Sequence, residues 1–202
     1  RERLPHTRLL TLLGMGGIGK SRLSLQLAAT VLDDHPDGVW LVELAPLTDP
    51  LRVPQALASV LGIKDEAGRG VTEALLAWVR DRRLLVILDN CEHLLAACAE
   101  LAKQLLQAGP GVRVLASSRD VLQVAGETVY PVPTLSVPEP GGTDLEALSR
   151  HEAVRLFLDR ARAVQPALAI DSAAQAAAVV SICRALDGIP LALEFLYSTR
   201  TP

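Results

Sequence analysis

A three-layer α/β/α fold on a five-stranded parallel sheet, followed by a partial all-helical subdomain, is what the 202-residue sequence predicts. Three observations predict it. Short apolar runs alternate with helical stretches through the first part of the chain. A glycine-rich run, Gly14-Met15-Gly16-Gly17-Ile18-Gly19-Lys20-Ser21, joins the first apolar run to the first helical stretch. Leu84-Leu85-Val86-Ile87-Leu88 is unbroken apolar sequence ending in Asp89, as expected of a strand buried on both faces of a parallel sheet.

Taken in order, strands are expected near 8–13, 38–44, 84–88, 112–117 and 127–132, with helices over 20–32, 51–61, 72–81 and 92–108. Asp49 is the expected N-cap of the second helix, with Pro50 at its first position, where the missing N–H costs nothing. The helix over 92–108 aligns Leu94, Cys98, Leu101 and Leu105 on one face, enough to cover a sheet. Residues 133–148 then carry Pro133, Pro138, Pro140, Gly141 and Gly142, a break in the pattern. The organisation read from this is an α/β domain over 1–135, a linker over 136–148 and a helical subdomain over 149–202. Ser149 to Glu152 and Ser172 to Gln175 both fit capping boxes. The first opens a helix with Val154, Phe157, Leu158 and Ala161 on its apolar face, and the second one with Val179, Ile182, Cys183 and Leu186. Gly188-Ile189-Pro190 ends that helix and starts another. Nothing after it closes these helices into a bundle, so the subdomain reads as incomplete.

The glycine-rich run fits G-x-x-x-x-G-K-[ST] at every fixed position, the phosphate-binding loop of P-loop NTPases. Gly14, Gly16, Gly17 and Gly19 allow the tight path that turns successive N–H groups, Ile18 among them, toward a polyanion at a helix N-terminus. Lys20 is placed to reach the β- and γ-phosphates and the Ser21 hydroxyl to hold Mg²⁺. Asp89, at the carboxyl end of a buried strand, is the second candidate for the Mg²⁺ shell. Gly14, Gly16 and Gly19 also spell G-x-G-x-x-G, and Glu43 stands where a dinucleotide fold would place its ribose-binding acid. That alternative gives no reason for Lys20 and Ser21, whereas a nucleoside triphosphate with Mg²⁺ requires both.

The strand over 112–117 leads into Ser117-Ser118-Arg119. If it lies between the phosphate-loop strand and the Asp89 strand, these residues face the γ-phosphate, and Arg119 can sense it; an ordinary surface arginine is the other reading. Asn90 occupies the position after Asp89 where a second acid often serves as base, and an amide cannot accept a proton. Glu92 is the nearest carboxylate, and equally suits the first turn of the 92–108 helix. Weak, slow ATP hydrolysis follows, with Lys20, Asp89, Glu92 and Arg119 as the catalytic candidates. No N-K-x-D stretch of the kind that reads guanine is present, so adenine is the expected base.

A formal net charge of −3 speaks against direct nucleic acid binding by this stretch. No apolar run reaches the length of a membrane span, and a cytoplasmic setting is expected. Cys91 and Cys98 are expected seven residues apart on one helix, about 10 Å of rise and too far to bridge. His6, His35, His93 and His151 lack ligand spacing, so no protein-built metal site is assigned. The chain begins at Arg1 and reads as a piece of a longer protein. A kinase-like metabolic P-loop enzyme and a vestigial interaction module are the remaining alternatives.

Together these stretches resemble the NB-ARC branch of the STAND signal-transduction ATPases, and in particular the nucleotide-binding module of bacterial SARP- and LuxR-type transcriptional regulators. The resemblance rests on Leu10 through Arg22, Leu85-Val86-Ile87-Leu88-Asp89-Asn90-Cys91-Glu92-His93-Leu94, Ala116-Ser117-Ser118-Arg119, Ala153-Val154-Arg155-Leu156-Phe157 and Gly188-Ile189-Pro190-Leu191-Ala192-Leu193. It implies that Arg22 belongs to the nucleotide site with the loop, that Arg119 senses the γ-phosphate, and that Pro190 packs near the adenine. It further implies a switch in which ADP holds the module closed and exchange for ATP permits nucleotide-dependent self-association. The implied neighbours are a winged helix, sensor repeats and a DNA-binding domain. Serines stand at 117 and 118 where the family often has threonines, which keeps the hydroxyls.

Overall fold

The structure is a computed structural model and describes residues 6–64, 68, 70–140 and 145–198. Gly141 and Gly142 of the expected linker, and 199–202 of the expected helical subdomain, lie outside the described residues. The chain divides into two compact units, one of residues 1–15 and 20–132, the other of 16–19 and 133–202.

In the first unit the described strands are β1 (Leu9–Leu13), β2 (Val39–Glu43), β3 (Leu85–Asp89), β4 (Arg113–Ser118) and β5 (Glu127–Pro131). All pair in parallel, in the order β2-β3-β4-β1-β5. Leu85 through Leu88 are fully buried, the consequence of a central strand covered on both faces. Alternate residues feed opposite cores. Val86, Leu88, Val114 and Ala116 pack with α2 (Val53–Val60), α3 (Val71–Val79) and α4 (Leu95–Ala108), while Leu85, Ile87 and Leu115 pack with Leu10, Leu12 and the end of α1 (Lys20–Thr30). Because β4 lies between β1 and β3, Ser117 and Ser118 stand between the end of the first strand and Asp89.

Two helix starts differ from expectation. The second helix begins as a 3₁₀ turn, Pro50–Arg52, capped by the Asp49 carboxylate accepting from Leu51 N at 3.0 Å. More consequentially, 92–108 is not one helix. Asn90 takes a left-handed conformation (φ 68°), Cys91–His93 form a 3₁₀ turn, and α4 starts at Leu95. The first turn of a long helix is therefore not where Glu92 sits. The same turn changes the cysteine geometry: Cys91 is not on the helix that carries Cys98, and its buried thiol donates to Leu88 O at 3.3 Å. The neighbouring Cys98 thiol and burial push the Cys91 thiol far above its usual range.

The second unit contains α5 (Leu145–Leu148), α6 (Glu152–Val164), α7 (Ala173–Ala185) and α8 (Pro190–Ser198). Ser172 and Gln175 form the expected capping box. Ser149 does not cap α6. Ser136 takes that part from a distance: its hydroxyl accepts from Glu152 N at 3.0 Å, and the Glu152 carboxylate accepts from Ser136 N at 3.1 Å. The exchange is a capping box made across sixteen residues of sequence. Ser136→Ala is expected to lower the stability of this unit by about 1 kcal/mol, read from the shift in its denaturant midpoint. Contrary to the open arrangement expected, the helices close a core of their own. Val154, Phe157, Leu158 and Ala161 of α6 meet Val179, Val180 and Cys183 of α7 and Leu193 of α8. Tyr197 stands edge-on to Phe157, with ring centroids 5.4 Å apart, and Arg160 pairs with Glu194 at 2.8 Å. Among the described residues no helix is long and apolar enough to cross a membrane.

Candidate functional site

The loop after β1 turns through Gly17 (φ 78°) and Gly19 (φ 99°), conformations that residues with a Cβ rarely adopt. Its start is tied to β4 by Gly14 N donating to Ser118 O at 3.2 Å. Ile18 is buried, and Lys20 and Ser21 open α1 with Arg22 exposed beside them. Within the second unit, Leu191 N donates to the Gly17 carbonyl at 3.1 Å, one residue after Pro190 opens α8. Pro190 belongs to that unit, as do Gly16, Gly17, Ile18 and Gly19.

Lys20 is 8% exposed and folds its ammonium onto the loop's own carbonyls, donating to Gly14 O at 2.7 Å and Met15 O at 3.1 Å. Burial lowers its pKa, and Arg119 lowers it further, while Glu92 and Asp89 act in the opposite direction. The Ser21 hydroxyl donates to Asp89 Oδ1 at 2.9 Å. A hydroxyl that gives its proton to a carboxylate keeps its lone pairs for a cation, so the pair is a chemically suitable half-shell for Mg²⁺.

Ser117, which sequence reading placed only near the γ-phosphate, anchors this arrangement. Its hydroxyl donates to the same Asp89 Oδ1 and accepts from Asn90 N at 2.9 Å. The signal that could have found it is the strand order, since β4 beside β3 puts Ser117 across from Asp89. His93, a histidine without ligand spacing in the sequence, has a structural part. Its Nε2 lies 2.7 Å from Leu47 O and its Nδ1 3.4 Å from Asn90 Nδ2, so a ring protonated on Nε2 donates to the first and accepts from the second. These contacts hold Asn90 in its left-handed turn, and Asn90 serves as structure.

That turn delivers Glu92 to Arg119. Arg119 Nε pairs with Glu92 Oε1 at 3.1 Å, the arginine side chain 61% exposed and the glutamate 16%. Glu92 Oε2 is enclosed by protein and has no hydrogen-bond partner. Lys20, Ser21, Asp89, Glu92, Ser117 and Arg119 thus converge at the carboxyl ends of β1, β3 and β4 in the first unit. Of the residues the sequence singled out, Pro190 alone is carried by a helix of the second unit.

A solved STAND protein with a tetratricopeptide repeat sensor from Pyrococcus horikoshii superposes with a TM-score of 0.55 at 13% identity, over 100% of this chain and 29% of that one. The chain has the fold of the STAND ATPases. The chain also matches stretches of two regulatory proteins. It is 44% identical over 195 residues to a candidate HTH-type transcriptional regulator of Mycobacterium tuberculosis, covering 96% of this chain and 20% of the regulator. It is 29% identical over 153 residues to the regulatory protein AfsR of Streptomyces griseus, covering 71% of this chain and 14% of AfsR. The module therefore spans only a small part of the length of the curated regulators it matches. No protein-family model matches the chain.

Proposed function

We propose that this module binds ATP and ADP with Mg²⁺ as the nucleotide switch of a larger bacterial transcriptional regulator of the NB-ARC type, and hydrolyses ATP slowly. The observation that carries the reading is the Ser21 hydroxyl on Asp89, with the Lys20 ammonium folded onto the loop carbonyls, at the carboxyl ends of parallel strands, the usual ligand position of open α/β sheets. In it, the N–H groups of Gly14 to Ser21 and the Lys20 ammonium hold the phosphates, Arg22 flanks them, and Arg119 recognises the third phosphate. Ser21 and Asp89 hold Mg²⁺, which when bound neutralises charge on the β- and γ-phosphates. Pro190 lies against the adenine. Residues 1–135 form the nucleotide-binding domain and 149–202 the helical subdomain, joined by 136–148. Neighbouring winged-helix, sensor-repeat and DNA-binding domains read the nucleotide state by self-association in the cytoplasm. Hydrolysis is slow because Asn90 provides no base.

Denaturing the purified protein and identifying any released nucleotide, followed by titration with ATP and Mg²⁺, tests this. Bound ADP, or Mg²⁺-dependent ATP binding, supports the reading; bound NAD or no nucleotide affinity overturns it. Asp89→Asn is expected to reduce the Mg²⁺ dependence of ATP affinity about tenfold, measured by calorimetry with and without the metal.

A further inference from the structure

The geometry points to Glu92 as a positioning residue: it holds Arg119 so that the guanidinium presents its terminal amino groups to the third phosphate, and thereby sets the preference for ATP over ADP. This rests on the nucleotide reading above but assigns Glu92 a different part from that of a base. The contact is one-sided. Glu92 Oε1 faces Arg119 Nε at 3.1 Å, and among the described residues the ion pair is made through Nε and not through a terminal amino group. An arginine gripped by Nε keeps four N–H groups in a planar fork, the form that meets phosphate oxygens in pairs. The side chain is 61% exposed, so the fork is open to a ligand.

Glu92 itself is poorly placed to take a proton from water. One oxygen is committed to Arg119, and the other is enclosed by protein without a hydrogen-bond partner. Leaving a carboxylate oxygen buried and unpaired is costly, and the neighbouring cations Lys20 and Arg119 are what offset it. The left-handed turn at Asn90, held by Ser117 and His93, fixes the height at which Glu92 emerges after β3. The positioning device is thus built by the Asp-Asn-Cys-Glu-His stretch as a whole, and not by an isolated surface pair.

The test is the ratio of dissociation constants for ADP and a non-hydrolysable ATP analogue, both with Mg²⁺, in the wild type and four variants. Arg119→Ala is expected to lower the preference for the analogue about tenfold, by loss of charge-assisted bonds. Glu92→Ala is expected to lower it in the same direction by about three- to tenfold, and Glu92→Ala combined with Arg119→Ala no further than Arg119→Ala alone. Glu92→Gln, whose amide oxygen can still face Nε, is expected to restore the ratio to within about threefold of wild type. The inference is overturned if Glu92→Ala leaves the ratio unchanged, as a base acting only in hydrolysis would. It is equally overturned if the analogue binds relatively tighter, as a carboxylate competing with phosphate for Arg119 would require. Equal strengthening of both ligands would reduce Glu92 to a background charge and also overturn it. Failure of the wild type to bind either nucleotide would instead remove the nucleotide reading, and this inference with it.

Discussion

Replacing Lys20 by alanine is expected to weaken ATP binding about thirtyfold, some 2 kcal/mol, measured by calorimetric titration with Mg²⁺. The side chain is almost fully enclosed, and its ammonium has few uses there other than to bridge carbonyl groups to an anion. Burial lowers its pKa because the charged form is poorly solvated; phosphate oxygens would reverse that by supplying the missing counter-charge. The loss should be larger for ATP than for ADP, since the γ-phosphate contact vanishes altogether. Affinity for ATP unaltered by Lys20→Ala would sink the assignment of the Gly14–Ser21 loop as the phosphate site.

The second large effect concerns folding. Gly188→Ala is expected to destabilise the helical unit by about 3 kcal/mol or more, seen as a lower midpoint for loss of helical circular dichroism. Gly188 has φ 63°, and a Cβ there would collide with the Leu135 carbonyl oxygen and stand 3.2 Å from Val137 Cγ1. The backbone cannot retreat freely, because Leu135 N donates to the Gly188 carbonyl at 3.0 Å on the same segment. Gly62 supplies the control: it has φ 70° but open space around a would-be Cβ, so Gly62→Ala carries only the left-handed backbone cost of about 1–2 kcal/mol. Equal effects of the two substitutions would show that strain at φ alone, and not the approach of Leu135, explains the requirement for glycine at 188.

The elements readable in the sequence are those whose cause is local. β3 was visible because a strand covered on both faces must be apolar throughout, and Leu85 to Leu88 are. The box at Ser172 and Gln175 was visible because both partners lie within one helical turn. The same rule misled at Ser149. There the Glu152 partner is Ser136, brought in by the chain path before the helix, and no pattern within a turn could distinguish the two serines. Asn90 was the other blind spot. Its left-handed conformation depends on Ser117 and His93, so a helix extrapolated from the α4 stripe ran through a turn that breaks it, and Cys91 was placed on the helix of Cys98.

The loop, the apolar strands and the chemical types available at their ends follow from the order of residues along the chain, since glycine conformation, strand burial and helix periodicity are properties of neighbouring residues. Only the tertiary structure decided that β4 lies between β1 and β3, and with it that Ser117 grips Asp89 and that Glu92 takes Arg119 by its Nε. Those contacts join residues far apart along the chain, and their geometry depends on how strands order in the sheet and on how one left-handed residue aims the segment after it.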